Sequence, residues 1–492
     1  MASSSVPTSS IPSTSANPSN AQSTNGMDHD SNQNAIISSQ KKNINVSNEE
    51  EDNDRDTAYF QYYALLSHQA QMLQDSVRTT AYQKAIFGHG PQCFQDKYVI
   101  DVGAGNGILS IFAAQAGAKK VYAIEASNMV ERLQHFVNAS KQPQFDGSTL
   151  NPWLGDRIKP ISSKMEDVTA EKLGDGVEKV DTIISECLGV LLVHERMCES
   201  FLDARDRFLK PGGSVLPSSG TICLAPIEDK VVWEEAANKA RFWDNRNFYG
   251  VDVTPFSEAA WEESFSSPVV GCFGPLIVLT PSNDYQIDFQ TISKENLKRF
   301  TIPLSFVMTQ TSVVHGLGGW FDLHFLPLPS SSPMTGATFA DGSDTSTMIP
   351  DLEMSGNQGD DQPSSSDATT LNMSTLSAIA DLAALNGNVG ESGLSDTTHL
   401  DPSVSSTYMT TSPYATPTHW QQVRFLFREP LAVNKGQKLV GTMLCEVNQY
   451  RSYTLTAKIQ IEGSSDVHSQ RSAQWRLDRQ IYSWTSASPI SQ

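Results

Sequence analysis

An α/β domain followed by an all-β domain is the fold class this sequence predicts, on three observations. Residues 97–127 read as an apolar strand, a glycine-rich turn, a helix and a second strand that ends in an acid. After Pro226 the alternation changes to a mixed helical and aromatic stretch at 228–265. Beyond it, short alternating runs at 302–308, 313–325, 423–427, 438–447 and 453–462 suggest strands of a barrel or sandwich.

Length and composition bound the reading. The 492 residues allow about three domains, and 39% hydrophobic content suffices for packed cores. No apolar run approaches the roughly 18 to 20 residues that span a bilayer, so no membrane association is expected. The first residues, MASSSVPTSS, lack the basic and then apolar pattern of a secretory signal. Six scattered cysteines without a CxxC or Cys/His cluster argue for a reducing compartment and against a metal site. The net charge of −20 is uneven: 331–417 holds eleven acids, and no Lys or Arg lies between Arg299 and Arg424. The remainder is only mildly acidic, which argues against direct nucleic-acid binding. A basic protein tail remains a possible partner through electrostatic steering.

In chain order, 1–56 is rich in Ser, Asn, Thr and Pro and is expected to be disordered. The run 59–86, YFQYYALLSHQAQMLQDSVRTTAYQKAI, lacks Gly and Pro and predicts two helices, with Leu66, Met72, Leu73, Val77 and Tyr82 near one face. In 97–107, KYVIDVGAGNG, Gly103, Gly105 and Gly107 allow a tight turn and close approach to a ligand. Glu125 ends the next strand, about 20 residues on, where an acid can bind ribose hydroxyls. The spacing is GxGxG rather than the GxGxxG of a dinucleotide site, and no Walker lysine follows, so the expected ligand is a nucleoside without phosphates.

Strands follow at 157–162 and 180–185, the first leading to Met165 and Glu166, where Glu166 could accept from an adenine amino group. The second delivers Glu186 to a strand's carboxyl end, where open α/β sheets bind ligands. The segment 141–155 reads as a surface insertion, 198–209 as a helix ended by Pro211-Gly212-Gly213, and 214–225 as the next strand region. Glu186 and Glu195 stand nine positions apart around an apolar run, 188–193. If that run folds back, both carboxylates face one cleft, and a planar guanidinium is the side chain best shaped to bridge them. Residues 328–416 interrupt the later strands and are expected to be disordered, with 371–385 at most a transient amphipathic helix.

These residues resemble the protein arginine methyltransferases. The run Tyr59–Tyr82 resembles the family's N-terminal YFxxY…MLxDxxRTxxY motif, VIDVGAGNGILS its first cofactor motif, SECLGVLLVHERM its double-glutamate loop and Thr418-His419-Trp420 its late THW loop. Details at 240–252, 314–322 and after Trp420 are most similar to the coactivator-associated branch. The resemblance spans about 58–485 and implies a Rossmann-like S-adenosylmethionine-dependent methyltransferase domain, followed by a β-barrel domain with a helical dimerisation arm. The implied organisation is a tail at 1–56, helices and cofactor domain at 57–217, a barrel substrate domain at 218–485 with its arm at about 230–262, and a tail at 486–492.

Carried onto this chain, the resemblance implies S-adenosylmethionine as methyl donor. Gln69, Arg78, Asp101, Gly103, Gly105, Glu125, Met165, Glu166 and Ser200 would bind it: Arg78 its carboxylate, Glu125 its ribose, and Met165, Glu166 and Ser200 its adenine. Glu186 and Glu195 would clamp the substrate guanidinium, with Asp75 and His419 as a pair for proton removal and for holding the N-terminal helices closed. Tyr63, Met72, Met197 and Trp420 would line the substrate pocket, the two methionines favouring asymmetric (type I) dimethylation. The implied partners are proteins with exposed arginines (histone H3 and other histone tails, transcription and RNA-binding proteins) and a second copy in a homodimer, in nucleus and cytoplasm. The alternative is a catalytically weak scaffold that recruits transcription partners. This loop departs from its family: Cys187 stands where proline or tryptophan is usual, Leu188 for methionine and Val190 for tyrosine. The 56 residues before the core do not have the composition of the folded pleckstrin-like domain found there in the vertebrate branch.

Overall fold

The computed structural model describes residues 59–143, 148–326 and 407–483. The expectations for 1–56, for 371–385 and for the tail at 486–492 lie outside the described residues. The chain divides after Phe60; of the first unit, residues 59 and 60 are described and helical. All that follows concerns the second unit.

Two helices come first, α1 at Leu66–Gln74 and α2 at Ser76–Gly88, as their spacing predicts. Asp75 separates them and caps α2 by accepting from the Arg78 amide at 3.0 Å. The expected apolar face is only half realised. Met72 and Tyr82 are buried, but Leu66 and Leu73 are exposed, because α1 buries Gln69 toward the glycine turn instead.

The α/β domain is a five-stranded parallel sheet of β1 Tyr98–Val102, β2 Lys120–Glu125, β3 Ile158–Ser162, β4 Val180–Ser185 and β5 Leu209–Leu216, in the order β3-β2-β1-β4-β5. Helices α3 Ile108–Gln115, α4 Met129–Ser140 and α5 Met197–Phe208 connect them. Strands β1, β2 and β4 read as nearly continuous apolar runs because a parallel sheet is covered on both faces. The order reverses between β1 and β4, so a crevice opens outside their carboxyl ends, the usual ligand site of such sheets. Pro211-Gly212-Gly213, expected to end a helix, lies within β5, where the pairing with β4 shifts register. Leu154, in the expected surface insertion at 141–155, is fully buried.

From β6 (Ser219–Ile227) the chain builds two antiparallel sheets. The larger orders β16-β7-β12-β10-β6-β8, with β11 beside β10; β16 runs parallel to β7. Its strands are β7 Val269–Val270, β8 Asn283–Asp288, β10 Ser312–Phe325, β11 Thr407–Thr410, β12 Val423–Val433 and β16 Ile481–Tyr482. The smaller is β15-β14-β13-β9, from β9 Arg299–Val307, β13 Lys438–Asn448, β14 Ser452–Ile461 and β15 Gln470–Arg476. Strand β11 corrects the expectation that disorder extends to 416: Thr407 and Met409 turn inward while Tyr408 turns out, and the segment adds to β10.

Helices α6 (Lys230–Arg241) and α7 (Ser257–Ser266) form the expected helical arm, with Trp233 packing on Phe265 and bonding the Phe427 carbonyl. One hydrophobic core runs through both domains, from Val99 and Ile184 through Leu191 and Leu192 to Leu317, Phe425 and Trp475. The apolar centre of the double-glutamate segment is therefore the joint between the domains.

Candidate active site

The crevice is lined first by the turn after β1. Gly103, Gly105 and Gly107 all take positive φ (70°, 53° and 85°), the left-handed region where a side chain is strained. A Cβ on Gly105 would also lie 2.9 Å from the Gln69 side chain. Gln69, buried on α1, uses its Oε1 to accept from Asn106 N and Nδ2 at 3.2 and 2.7 Å, and donates to the Tyr63 carbonyl at 2.9 Å. The helical hairpin is thereby latched to the glycine turn.

Glu125 ends β2 with its carboxylate fixed from two sides, accepting from Gly105 N at 2.8 Å and Ser127 N at 2.7 Å. Asp101 is fully buried on the central strand, where Ser110 Oγ donates to its Oδ2 at 2.7 Å. Its Oδ1 has no donor. Burial pushes this carboxyl up to about 7 against the help of Ser110, with Glu125 adding to the rise. An acceptor left without a donor beneath a turn built for close approach fits a ligand that brings its own donors. Across the crevice, Ser200 Oγ donates to Glu166 Oε1 at 2.6 Å, and the carbonyl of buried Met165 accepts from Arg207 at 3.1 Å. Met197 closes on Gly103, its Cε 3.4 Å from where a Cβ would stand.

The two glutamates lie on one side of this crevice. Arg78, almost wholly buried on α2, sends Nε and Nη2 to Glu186 Oε2 at 3.0 and 2.7 Å and Nη1 to the Met72 carbonyl at 3.2 Å. Glu186 Oε1 accepts from Leu188 N at 3.2 Å. Glu195 Oε2 accepts from the Tyr63 hydroxyl at 2.7 Å. So α1, α2 and the residues before them hold both carboxylates, one through a guanidinium and one through a phenol.

The segment between the glutamates does fold back, and it is strained. Leu191, Leu192, Glu195 and Arg196 all have positive φ, from 55° to 73°, at about 1 to 3 kcal/mol each. Surrounding contacts over-determine them. Leu192 lies over Gly220 and Leu191 over Gly319, where a Cβ would come within 2.7 Å of each leucine. His194 Nδ1 bonds Ser452 Oγ at 2.8 Å, and burial pushes that imidazole down to about 4, so it stays neutral. Trp420 Nε1 donates to the Leu188 carbonyl at 3.2 Å, and Arg196 pairs with Glu199 through both carboxylate oxygens.

His419 completes the rim. Its amide and Nδ1 both meet Asp75 Oδ2, at 2.8 and 2.7 Å, while its ring lies 4.0 Å from that of Trp420. Burial alone would raise the Asp75 carboxyl; the His419 and Arg78 hydrogen bonds outweigh it and hold the group below its usual range. Hydrogen bonds thus tie Gln69 to the glycine turn that Glu125 braces, Arg78 to Glu186, Tyr63 to Glu195, Asp75 to His419 and Ser200 to Glu166. His194, Ser452, Ser110 and Asn106 also build the site. Asn106 and Ser110 sit inside the glycine-turn motif and His194 inside the double-glutamate segment, but the motifs do not show their partners Gln69, Asp101 and Ser452.

Residues 218–339 and 397–466 match the family model of the arginine methyltransferase oligomerization subdomain, and 90–142 match that of the ribosomal protein L11 methyltransferase. A probable histone-arginine methyltransferase CARM1 of Oryza sativa subsp. indica is 36% identical over 410 residues, which cover 82% of this chain and 60% of the relative. The chain thus spans about three fifths of the length of that curated relative. Among solved structures, protein arginine methyltransferase 10 of Arabidopsis thaliana, described in a uniquely open conformation, is 25% identical at a TM-score of 0.60 over 85% of this chain and 100% of that one. The PRMT1 enzyme-prozyme heterotetrameric complex of Trypanosoma brucei, solved with AdoHcy, is similar in fold at a TM-score of 0.58 and 24% identity, covering 84% of this chain and 99% of that one.

Proposed function

We propose, from the premise that this chain belongs to the protein arginine methyltransferase family, that it methylates arginine side chains of proteins with S-adenosylmethionine as donor. The observation that carries the reading is the pair of carboxylates, Glu186 and Glu195, held at the carboxyl-end crevice of the parallel sheet by Arg78 and Tyr63.

When bound, S-adenosylmethionine supplies an electrophilic methyl group on a sulfonium. Gln69 and the Gly103–Gly105 turn would seat it, with Glu125 at its ribose, Glu166, Met165 and Ser200 at its adenine, and Asp101 and Arg78 toward its amino-acid end. Arg78 then serves two masters, since its fork already grips Glu186, and this ties donor binding to the orientation of the clamp.

A guanidinium, with a pKa near 13.8, is a poor nucleophile. Glu186 and Glu195 would bind it from both sides and draw its positive charge toward the nitrogens they contact, leaving electron density on the attacking one. Positioning in a crevice closed by Trp420 and Met72 supplies much of the remaining rate. The proton leaves after attack, and the Asp75–His419 pair would take it. That pair also fastens α1 and α2 over the site.

The asymmetric (type I) outcome is supported by the identities of Met72, whose carbonyl accepts from Arg78, and Met197, whose Cε lies against Gly103. Histone tails as substrates are supported by the named relative and by the acidic balance of the chain. A homodimer is supported by the oligomerization-subdomain match and by the arm, whose tip leaves Phe248, Tyr249, Val251 and Phe256 exposed. Incubation with labelled donor and histone H3 tests the reading. Labelled arginine whose fragmentation gives the asymmetric dimethyl product supports it; cofactor binding without transfer to any arginine peptide favours the scaffold alternative.

A further inference from the structure

The clamp loop carries two thiols that the proposed chemistry does not use. Cys187 follows Glu186 directly, and Cys198 follows Met197 on the first turn of α5. Their Sγ atoms are 3.7 Å apart, Cys198 Sγ also donates to the Cys187 carbonyl at 3.4 Å, and both side chains are buried. Among the described residues, no other cysteine pair comes within such reach.

We propose that Cys187 and Cys198 form a disulfide under peroxide and that this bond disables the clamp. The bond closes a loop containing Glu195, Arg196 and the positive-φ leucines. In the first step one thiol gives up its proton and its sulfur attacks a peroxide oxygen; the O–O bond breaks, a sulfenic acid forms, and the departing hydroxide takes up that proton as water. In the second, the neighbouring thiol attacks the sulfenic sulfur, an S–S bond forms and a second water leaves. Two thiols lose two electrons in all, and one hydrogen peroxide is reduced to two waters.

Bonding requires the sulfurs to close from 3.7 Å to about 2.05 Å. The closure draws on the carboxyl end of β4 and the start of α5, the segments that carry the two thiols. Glu186 lies next to one sulfur and Met197 next to the other, so the movement falls on the carboxylate gripped by Arg78 and on the side chain against Gly103. Misplacement by about 1 Å at such a site costs on the order of 100-fold in rate. Burial, with Cys198 and Glu186 adding, pushes the Cys187 thiol well up. A thiol raised in this way forms thiolate sparingly, which makes the response slow, suited to sustained oxidant rather than a brief pulse.

The rate readout rests on the methyl-transfer reading, so a second readout is independent of it. The full-length protein is treated with hydrogen peroxide and digested without reductant, and the 187–198 linkage is sought by mass. S-adenosylhomocysteine affinity and methyl transfer are measured before treatment, after it, and after dithiothreitol. The expected result is a linked peptide lighter by two hydrogens, transfer reduced at least about tenfold, and recovery with dithiothreitol. Cys187→Ser and Cys198→Ser each retain their own starting rate through the same treatment. Absence of the linked peptide overturns the proposal, as does a linked peptide with transfer and cofactor affinity unchanged. If the reduced protein transfers no methyl at all, the functional reading fails, and the linked peptide with altered cofactor affinity still decides the thiol pair.

Discussion

Asp75 and His419, 344 residues apart, are joined twice through one carboxylate oxygen, which accepts from both the His419 amide and its Nδ1. The other oxygen caps α2. One side chain therefore starts a helix and anchors the loop that carries Trp420. Asp75→Ala is expected to cost about 1 kcal/mol as a lost cap and to lower kcat more than cofactor affinity. Because its folded pKa lies below the unfolded value, the stability Asp75 contributes is full above the ordinary carboxylate pKa, about 3.9. It is lost as pH falls through the lower folded value. Thermal unfolding from pH 6 down to 2 checks this: the variant should show a shallower acid loss than the parent.

Glu195→Gln keeps the shape of the clamp and removes one charge. Transfer to an arginine peptide is expected to fall by roughly 100-fold or more, with S-adenosylhomocysteine affinity by calorimetry unchanged. Undiminished transfer would refute the two-carboxylate mechanism.

Gln69→Ala cuts the latch between α1 and the glycine turn. Cofactor affinity should weaken about fivefold to tenfold, as expected for buried hydrogen bonds at about 1 kcal/mol each. The same variant should leave the thermal midpoint within a few degrees, since the core beneath the turn is untouched.

Asp101 has its sign reversed relative to Asp75. Its folded pKa of about 7 lies above the unfolded value, so its favourable contribution is complete below about pH 4 and is lost as pH rises through 7. The parent is expected to lose stability between pH 5 and 8 more steeply than Asp101→Asn, as read by scanning calorimetry. S-adenosylhomocysteine, whose ammonium favours the charged carboxylate, should reduce the difference in the parent.

Tyr249, 93% exposed at the tip of the arm, tests the proposed dimer. Replacement of Phe248 and Tyr249 together by serine should shift the mass in light scattering from dimer to monomer and lower transfer. A monomeric parent would remove the dimer from the reading.

The sequence made the cofactor side legible because its parts are local. A glycine turn, an acid about 20 residues on and apolar strands all follow from spacing within a few dozen residues. The convergence of Glu186 and Glu195 was legible as a possibility, and the family resemblance chose it. What no spacing could show is how the pair is held. Tyr63, Arg78, Trp420 and Ser452 reach the loop from 108 to 258 residues away. Edge strands such as β11 and β16 were missed for a related reason: four and two residues are too short for an alternating pattern, and their pairing is decided by the neighbour strand. Leu66 and Leu73 misled because helical periodicity reports which residues are apolar, not which face a partner covers.

The leucines seated over Gly220 and Gly319, with Ser452 and Trp420 behind them, have a consequence during synthesis. The five strands of the α/β sheet are complete when residue 216 has been made. Ser452, which fixes His194, follows that histidine by 258 residues. A nascent chain thus completes the parallel sheet long before the partner of His194 is made. A chain ending before β14 is expected to lack the bond that fixes His194 in the segment between the sheets.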